Sequence, residues 1–152
     1  MDNNFDFFVG TWTSQQRRLR EVLVGNTEWY EFTGQTRCWN VLEGGGNFDE
    51  VIFPSEGFSG VTLRLYDKEN DQWSLYWAST RVGLSLPPVV GRFGEDGRGV
   101  FTAEEDYQGT PITVRFLWSD ITATSARWEQ AFSTDQGQTW ETNWVADFTR
   151  TS

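Results

Sequence analysis

Histidine does not occur anywhere in this chain of 152 residues. Its absence excludes nucleophilic sites built on Ser–His or Cys–His pairs. It also excludes haem, zinc and non-haem iron bound through histidine. Acid–base chemistry in this chain would use carboxylates, Tyr, Lys, Arg or Cys38, and we expect neither a bound cofactor nor a metal site.

Cysteine is nearly absent as well, because Cys38 is the single one in the chain. No intrachain disulfide can form, which fits a reducing compartment. The first residues are acidic and polar, unlike the basic segment that opens a signal peptide. No apolar run approaches the roughly 20 residues of a membrane-spanning helix. We therefore expect a cytoplasmic protein without a membrane span.

Positive charge is also scarce. The chain has 12 Lys and Arg against 22 Asp and Glu, for a net charge of -10. A surface this acidic repels phosphate backbones and anionic lipid, so we expect no nucleic-acid partner.

Aromatic residues, in contrast, are abundant, with 9 Trp and 12 Phe. Apolar and polar residues alternate between regularly spaced turn residues, which predicts about ten hairpin-linked strands. Pro87 and Pro88 predict a loop over residues 81–88. The pattern favours an all-β fold with one domain over residues 1–152, a single antiparallel up-and-down β-barrel of about 8–10 strands, because closure removes exposed edges. A two-sheet sandwich is the alternative.

The turns also predict which residues face the barrel interior. If a two-residue turn at Gly25-Asn26 joins the first two strands, Trp12 lies opposite Trp39, and Arg18 opposite Thr33. The inward set of the next strands is then Trp29, Trp39, Glu50, Val61, Leu63, Trp73, Trp77 and Ser79. A shift of one residue would invert every later face.

Two later strands complete the predicted interior. The apolar face of the eighth strand, which we expect to point inward, consists of Ile112, Val114, Phe116 and Trp118. In the last hairpin a four-residue turn places Glu129 beside Trp144. The alternative inward set in that hairpin is Trp128, Gln130 and Phe132.

Together these residues describe either a solid core or the wall of a ligand cavity, which a barrel of eight or more strands can enclose. Apolar walls with a few convergent polar groups are typical of such cavities. The apolar candidates are Trp29, Trp39, Leu63, Trp77, Phe116 and Trp144. The polar candidates are Arg18, Glu50, Ser79, Arg81 and Glu129.

One motif has a local structural explanation. Residues 133–140 follow the Asp-box pattern Ser-x-Asp-x-Gly-x-Thr-Trp and resemble hairpin turns of sialidase propellers. Asp135 would accept backbone N–H groups, Gly137 would take a positive φ, and Trp140 would pack beneath the turn. A propeller needs several such blades, so we interpret the motif as a single turn.

Gly10-Thr11-Trp12 in the first strand, with Arg150 near the end of the last, resembles the calycin superfamily of lipocalins and fatty-acid-binding proteins. In lipocalins this tryptophan closes the barrel base and an arginine packs over it. The resemblance implies those structural roles for Trp12 and Arg150. Haem-binding members of the superfamily use a histidine, which this chain lacks.

Nearly the whole chain is also similar to an uncharacterised bacterial family of that superfamily. The resemblance implies the barrel fold and little chemistry. The segments that carry it are 17–19, 29–34, 60–67, 73–77, 88–91 and 126–132.

Three functions are compatible with these patterns. The first is binding of a small apolar or amphipathic molecule in the lumen, with Arg18 or Arg81 complementing a charged group. The second is a cofactor-free cyclase, isomerase or hydratase in which Glu50 and Glu129 act as acid and base. The third is a structural or protein-interaction role as a homodimer, joined through outward apolar residues such as Tyr30, Phe32 and Phe132.

Overall fold

The computed structural model describes residues 4–152 and contains ten antiparallel strands that close into one barrel. Each strand pairs with its neighbours in sequence, and β1 pairs with β10. This order confirms the predicted up-and-down barrel over the sandwich; residues 1–3 of the predicted domain lie outside the described residues. The strands are β1 Gly10–Leu19, β2 Trp29–Val41, β3 Gly46–Phe53, β4 Phe58–Asp67, β5 Gln72–Ser79, β6 Gly83–Phe93, β7 Gly99–Tyr107, β8 Thr110–Ser119, β9 Ser125–Ser133 and β10 Glu141–Arg150.

Helical structure in residues 4–152 consists of three short 3-10 turns, at Asp6–Phe8, Leu42–Gly44 and Pro54–Glu56. No helix in this part of the chain is long and apolar enough to cross a membrane.

One end of the barrel is closed by aromatic side chains from the N-terminal segment. Phe5, Phe8 and Trp12 are almost fully buried. The Trp12 ring stacks on Phe8 at 5.2 Å between centroids, and its indole N–H donates to the Phe8 carbonyl oxygen at 2.9 Å. Trp118 and Phe148 pack around Phe8 at 4.9 and 5.0 Å. These rings fill the barrel base with a dense apolar core.

Arg150 covers this base from the last strand. Its guanidinium lies 4.3 Å from the centroid of the Trp12 ring and donates to the carbonyl oxygens of Val9 and Phe7, both at 2.6 Å. Gly10 permits this approach, because it has a φ of +126° and a Cβ there would lie 2.5 Å from Arg150 Nη1. The Gly-x-Trp sequence therefore has a steric basis: glycine makes room for the arginine that covers the tryptophan.

The pairing of β1 with β2 differs from the predicted one. Trp12 pairs with Thr36, three residues before the predicted Trp39, and Arg18 pairs with Tyr30, again three residues earlier. An odd displacement reverses the faces of a strand. The predicted inward orientation of residues on β2, β3 and β4 is therefore wrong, and their other faces form the interior.

The cause is the β1–β2 connection. A tight turn at Gly25-Asn26 was predicted, but residues 20–28 form a longer loop instead. Val22 and Leu23 resemble strand residues in sequence, yet they fold onto the hydrophobic core. The Leu23 N–H donates to Glu141 Oε1 at 2.7 Å, which ties this loop to the start of β10.

A β-bulge changes the last hairpin. The pairing of β9 with β10 shifts by one residue at Asn143, so Trp144 lies opposite Gln130 and Glu129 lies opposite Val145. Such a bulge places two residues of one strand against one of the other. The predicted Glu129–Trp144 pair is wrong for this reason, and the alternative inward set on β9 is the one that the structure contains.

The loop predicted over residues 81–88 is also wrong, because β6 includes Pro87 and Pro88. Its ladder with β5 is interrupted between Ser85 and Val89. β7 pairs with β6 only over residues 90–93. The prolines therefore lie where no neighbouring strand requires their missing N–H groups.

Three aromatic residues that motivated a homodimer do not form an outer face. Phe32 and Phe132 are buried, and Phe32 packs on Phe53 at 5.4 Å inside the barrel. Tyr30 stacks on Phe32 at 5.5 Å. The dimer hypothesis thus loses the surface on which it was based.

Candidate functional site

The centre of the barrel contains a cavity of about 80 Å³. Its wall is largely aromatic: Trp144 meets Trp128 edge to face at 5.3 Å and Trp77 at 6.4 Å, while Phe116 packs on Trp128 at 5.1 Å. A single water needs about 10–15 Å³ measured in this way, so the cavity has room for several waters or a small apolar group.

Gly60 on β4 creates part of this space. A Cβ at Gly60 would lie 2.2 Å from the Trp77 ring. The Trp77 side chain therefore lies against the bare backbone of β4, and any larger residue at position 60 would push this ring toward the cavity.

A buried ion pair forms the polar part of the wall. Arg64 donates to Asp49 Oδ2 at 2.5 Å and to Asn47 Oδ1 at 2.7 Å. Its guanidinium also lies 4.9 Å from the Phe5 ring centroid. Both charged residues line the cavity, and each is at most 4% exposed. Since one carboxylate balances one guanidinium, this end of the cavity is close to neutral overall.

Burial affects the Asp49 carboxyl in particular. Desolvation raises its pKa above the ordinary value, while the adjacent Arg64 guanidinium acts in the opposite direction. The close contact with Arg64 stabilises the charged form of the buried Asp49 carboxylate.

Two polar atoms of the cavity wall have no hydrogen-bond partner within residues 4–152. They are the Thr36 hydroxyl oxygen and Arg64 Nε. Both side chains are about 97% buried, with 3% exposure each. Buried polar groups are nearly always hydrogen-bonded, because an unpaired one costs about 1–3 kcal/mol. Because both residues line the cavity, a ligand oxygen that reached either atom would supply the missing hydrogen bond.

Glutamine fixes the orientation of Trp144. Gln16 Oε1 accepts the Trp144 indole N–H at 2.7 Å, and Gln16 Nε2 donates to Ser14 at 2.8 Å. On the neighbouring strand, Gln130 donates to Asn143 at 2.9 Å. These bonds hold one tryptophan wall of the cavity in place before any ligand binds.

The end of the barrel opposite Trp12 contains a second pocket, here called the mouth. It is bordered by Arg18, Tyr30, Arg81, Tyr107 and the loop of residues 20–28. The Arg18 guanidinium lies 4.2 Å from the Trp144 ring centroid. Burial lowers the pKa of Arg18, and the positive charge of Arg81 adds to this effect. The mouth is thus basic in a strongly acidic protein.

Five of the predicted binding residues occupy the cavity wall or the mouth. Trp77, Phe116 and Trp144 line the cavity, and Arg18 and Arg81 border the mouth.

Ser79 has a local role at the β5–β6 turn. Its hydroxyl accepts the N–H groups of Arg81 and Val82 at 3.3 and 3.2 Å.

Three apolar candidates lie on the outer face because of the β1–β2 register. Trp29 carries Arg17 over its ring at 5.5 Å. Trp39 is 41% exposed and packs on Phe48 at 5.2 Å. Leu63 pairs with Phe48, while its two neighbours on β4 line the cavity. Their predicted inward orientation is wrong.

The two glutamates proposed as an acid–base pair also point outward. Glu50 forms an ion pair with Arg37 at 3.5 Å. Glu129 interacts electrostatically with Arg115 and Arg127 on the outer face of β8 and β9. These two carboxylates therefore do not face one another across the lumen.

Thr36, Asp49 and Arg64 line the cavity but are not among the residues predicted from the sequence. All three belong to the faces that the incorrect β1–β2 register had turned outward. The alternation in 36–38 and 47–53 carries the needed signal, but only when Thr36 is placed opposite Trp12. Charged residues inside strands gave no independent indication, since such residues are mostly exposed.

No group of three or more metal-binding side chains occurs within residues 4–152. Cys38 is buried, and burial raises its pKa to about 12, which makes the thiolate unavailable at neutral pH.

Comparison with known proteins supports the fold. No protein-family model matches the chain, and no curated protein matches it. Among solved structures, an S-type phycobiliprotein lyase from Guillardia theta is similar, with a TM-score of 0.59 and 14% identity over 97% of this chain and 90% of the lyase chain. An identity this low shows a shared fold alone.

Proposed function

We propose that the barrel binds a small apolar or amphipathic molecule in its lumen, with an oxygen atom of the ligand at Thr36 and Arg64. The observation that carries this proposal is that two residues lining a largely aromatic cavity each have a buried atom without a hydrogen-bond partner, Thr36 Oγ1 and Arg64 Nε.

The physical argument combines shape and hydrogen bonding. Apolar ligand surface that leaves water gains about 25 cal/mol per Å². A hydroxyl or carbonyl oxygen at Arg64 Nε would accept a hydrogen bond that the free protein cannot make, and a ligand hydroxyl could also pair with Thr36. A few polar groups in an apolar cavity are the usual arrangement of small-molecule sites.

The fold comparison is compatible with this function. The similar solved structure is named a phycobiliprotein lyase, and we propose that this chain, which shares its fold, holds a small molecule in the lumen. We also propose that the chain belongs to the calycin superfamily, within the uncharacterised bacterial family that its sequence resembles, and acts in the cytoplasm as a single domain. No observation favours the enzyme alternative, because Glu50 and Glu129 lie outside the lumen.

The proposal is tested with 1-octanol, whose hydroxyl end would occupy the cavity while the rest of its chain extends past Trp144 toward the mouth; binding is titrated by calorimetry and by tryptophan fluorescence. Thr36→Val keeps the side-chain shape and removes the hydroxyl. It should weaken octanol binding about 2- to 12-fold, the equivalent of one hydrogen bond of about 0.5–1.5 kcal/mol. The same variant should not lose stability without ligand, because it removes a buried hydroxyl that has no partner.

Thr33→Val is the matched control, since Thr33 lies on the exposed face of the same strand. It should leave octanol affinity unchanged. If octanol does not bind the parent protein, or if the two valine variants bind it equally well, the proposed lumen site is wrong.

A further inference from the structure

The mouth contains two arginines without an acidic partner. Within residues 4–152 the four ion pairs are Arg20–Glu28, Arg37–Glu50, Arg64–Asp49 and Arg127–Asp147. Arg18 and Arg81 take part in none of them, although the chain has 22 acidic residues. Glu21 borders the same opening and is exposed.

Each of these arginines is held by aromatic and backbone groups instead. Arg18 lies over Trp144, and Arg81 lies 4.0 Å from the Phe58 ring centroid. Arg81 Nη2 also donates to the Glu56 carbonyl oxygen at 2.9 Å. These contacts position two guanidinium groups at one opening but neutralise neither.

The positive charges of Arg18 and Arg81 repel each other in the ligand-free protein. The groups that shift the pKa of Arg18 electrostatically are Tyr30, Arg81 and Tyr107, and the effect of Arg81 is repulsive. Arg18 is partly buried and Arg81 is exposed. An anion bound between them would offset their repulsion by attraction to both guanidinium groups.

Trp144 lies between the mouth and the cavity. One part of this side chain lines the cavity, and Arg18 covers its ring. A ligand with its charged group at Arg18 would reach the cavity by passing the Trp144 ring, which contacts Trp77 on the cavity side.

We propose that the ligand is an anionic amphiphile whose charged group, such as a carboxylate, binds between Arg18 and Arg81 while its apolar part enters the aromatic cavity. This inference rests on the proposed lumen site and adds the charge and the direction of the ligand: its charged group lies at the mouth and its uncharged oxygen at Thr36 and Arg64. Octanoate has only the charged group and therefore tests the mouth by itself. The deep end is the less favourable place for an anion, because Asp49 already neutralises Arg64 there. At the mouth neither Arg18 nor Arg81 forms an ion pair, and the bordering carboxylate Glu21 is exposed.

Three ligands with the same chain test the proposal: octanoate, 1-octanol and octylammonium, titrated at pH 8 by calorimetry. Octanoate should bind more tightly than octylammonium, even though the net charge of -10 favours the cation on the surface as a whole. Raising the salt concentration should weaken octanoate binding and leave octanol binding nearly unchanged.

Arg18→Gln and Arg81→Gln should each lower octanoate affinity about tenfold or more, as expected for loss of a charge-assisted hydrogen bond. Their octanol affinity should remain, which also shows that the lumen is intact. Arg17→Gln is the matched control: this neighbouring arginine lies over Trp29 on the outer face. It should leave octanoate affinity unchanged.

The two polar sites should also respond separately. Thr36→Val is expected to weaken octanol and leave octanoate unaffected, whereas Arg18→Gln should do the reverse. If octanol binds but octylammonium binds as tightly as octanoate, or Arg17→Gln and Arg18→Gln have equal effects, the anionic site is wrong and the lumen site stands. If none of the three ligands binds, the proposed function itself fails.

Discussion

Trp12 and Arg150 show how single side chains close the barrel base. Trp12 is 1% exposed and carries Arg150 on one face and Phe8 on the other. We expect Trp12→Ala to lower the free energy of unfolding by about 3–5 kcal/mol, because it leaves a large cavity in packed core. Arg150→Ala should cost less, since the Phe8 side of the stack remains. Urea denaturation measures both.

Trp39→Ala is the control for this prediction, because Trp39 is 41% exposed on the outer face. Its effect on the urea midpoint should be much smaller than that of Trp12→Ala. Equal midpoints for the Trp12→Ala variant and the parent protein would show that the base is not closed by this residue.

At the scale of single residues, the sequence predicts which apolar side chains line the lumen better than it predicts which charged side chains do. Trp77, Phe116 and Trp144 were predicted at the lumen because rings in alternating strands have few places other than an interior. Arg64 and Asp49 were missed because a buried charge depends on a partner brought from another strand, and only tertiary pairing reveals that partner.

The β-strands themselves were easier to predict than their register. Alternation and turn residues indicated about ten strands, and ten are present. Register depends on the number of residues in each connection, which alternation does not encode when apolar loop residues such as Val22 and Leu23 imitate a strand. The bulge at Asn143 had the same effect, since one extra residue moved Glu129 from the predicted inner face to the outer one.

The β9–β10 turn gives a prediction for pH dependence. Thr139 donates both its hydroxyl, at 2.6 Å, and its N–H, at 2.9 Å, to Asp135, and Ser133 donates its hydroxyl at 2.7 Å. These bonds lower the pKa of Asp135 to about 2, with the Thr139 hydroxyl bond as the largest cause. The ordinary value in an unfolded chain is about 3.9.

A lowered carboxyl pKa stabilises the folded state when the carboxylate is charged. The contribution is present above about pH 4 and is lost as the pH falls toward 2. Asp135→Asn should therefore be less stable than the parent protein at pH 7 and should approach it at pH 2. Urea midpoints at both pH values measure this difference, and Glu95→Gln controls for removal of one exposed negative charge. A difference that stays constant from pH 7 to pH 2 would contradict the assigned role.

For the whole molecule, the lumen should link ligand binding to thermal stability. The barrel can be predicted from the sequence, because a sheet of consecutive hairpins has exposed edge strands and only closure of the sheet removes them. The cavity cannot be predicted from the sequence, because its volume depends on whether the Trp77 ring fills the space beside Gly60. Adding a single methyl group at Gly60 should therefore prevent a ligand from binding in the cavity.

1-Octanol at ten times its dissociation constant should stabilise the folded protein by about 1.4 kcal/mol, which raises the melting temperature by about 3–6 °C for a domain of this size. Gly60→Ala should remove most of this rise, because its Cβ would meet the Trp77 ring at 2.2 Å and displace it into the cavity. Gly94→Ala adds the same methyl group at an exposed turn and should keep the full rise. An equal rise in the two alanine variants would show that octanol stabilises the protein from a site outside the lumen.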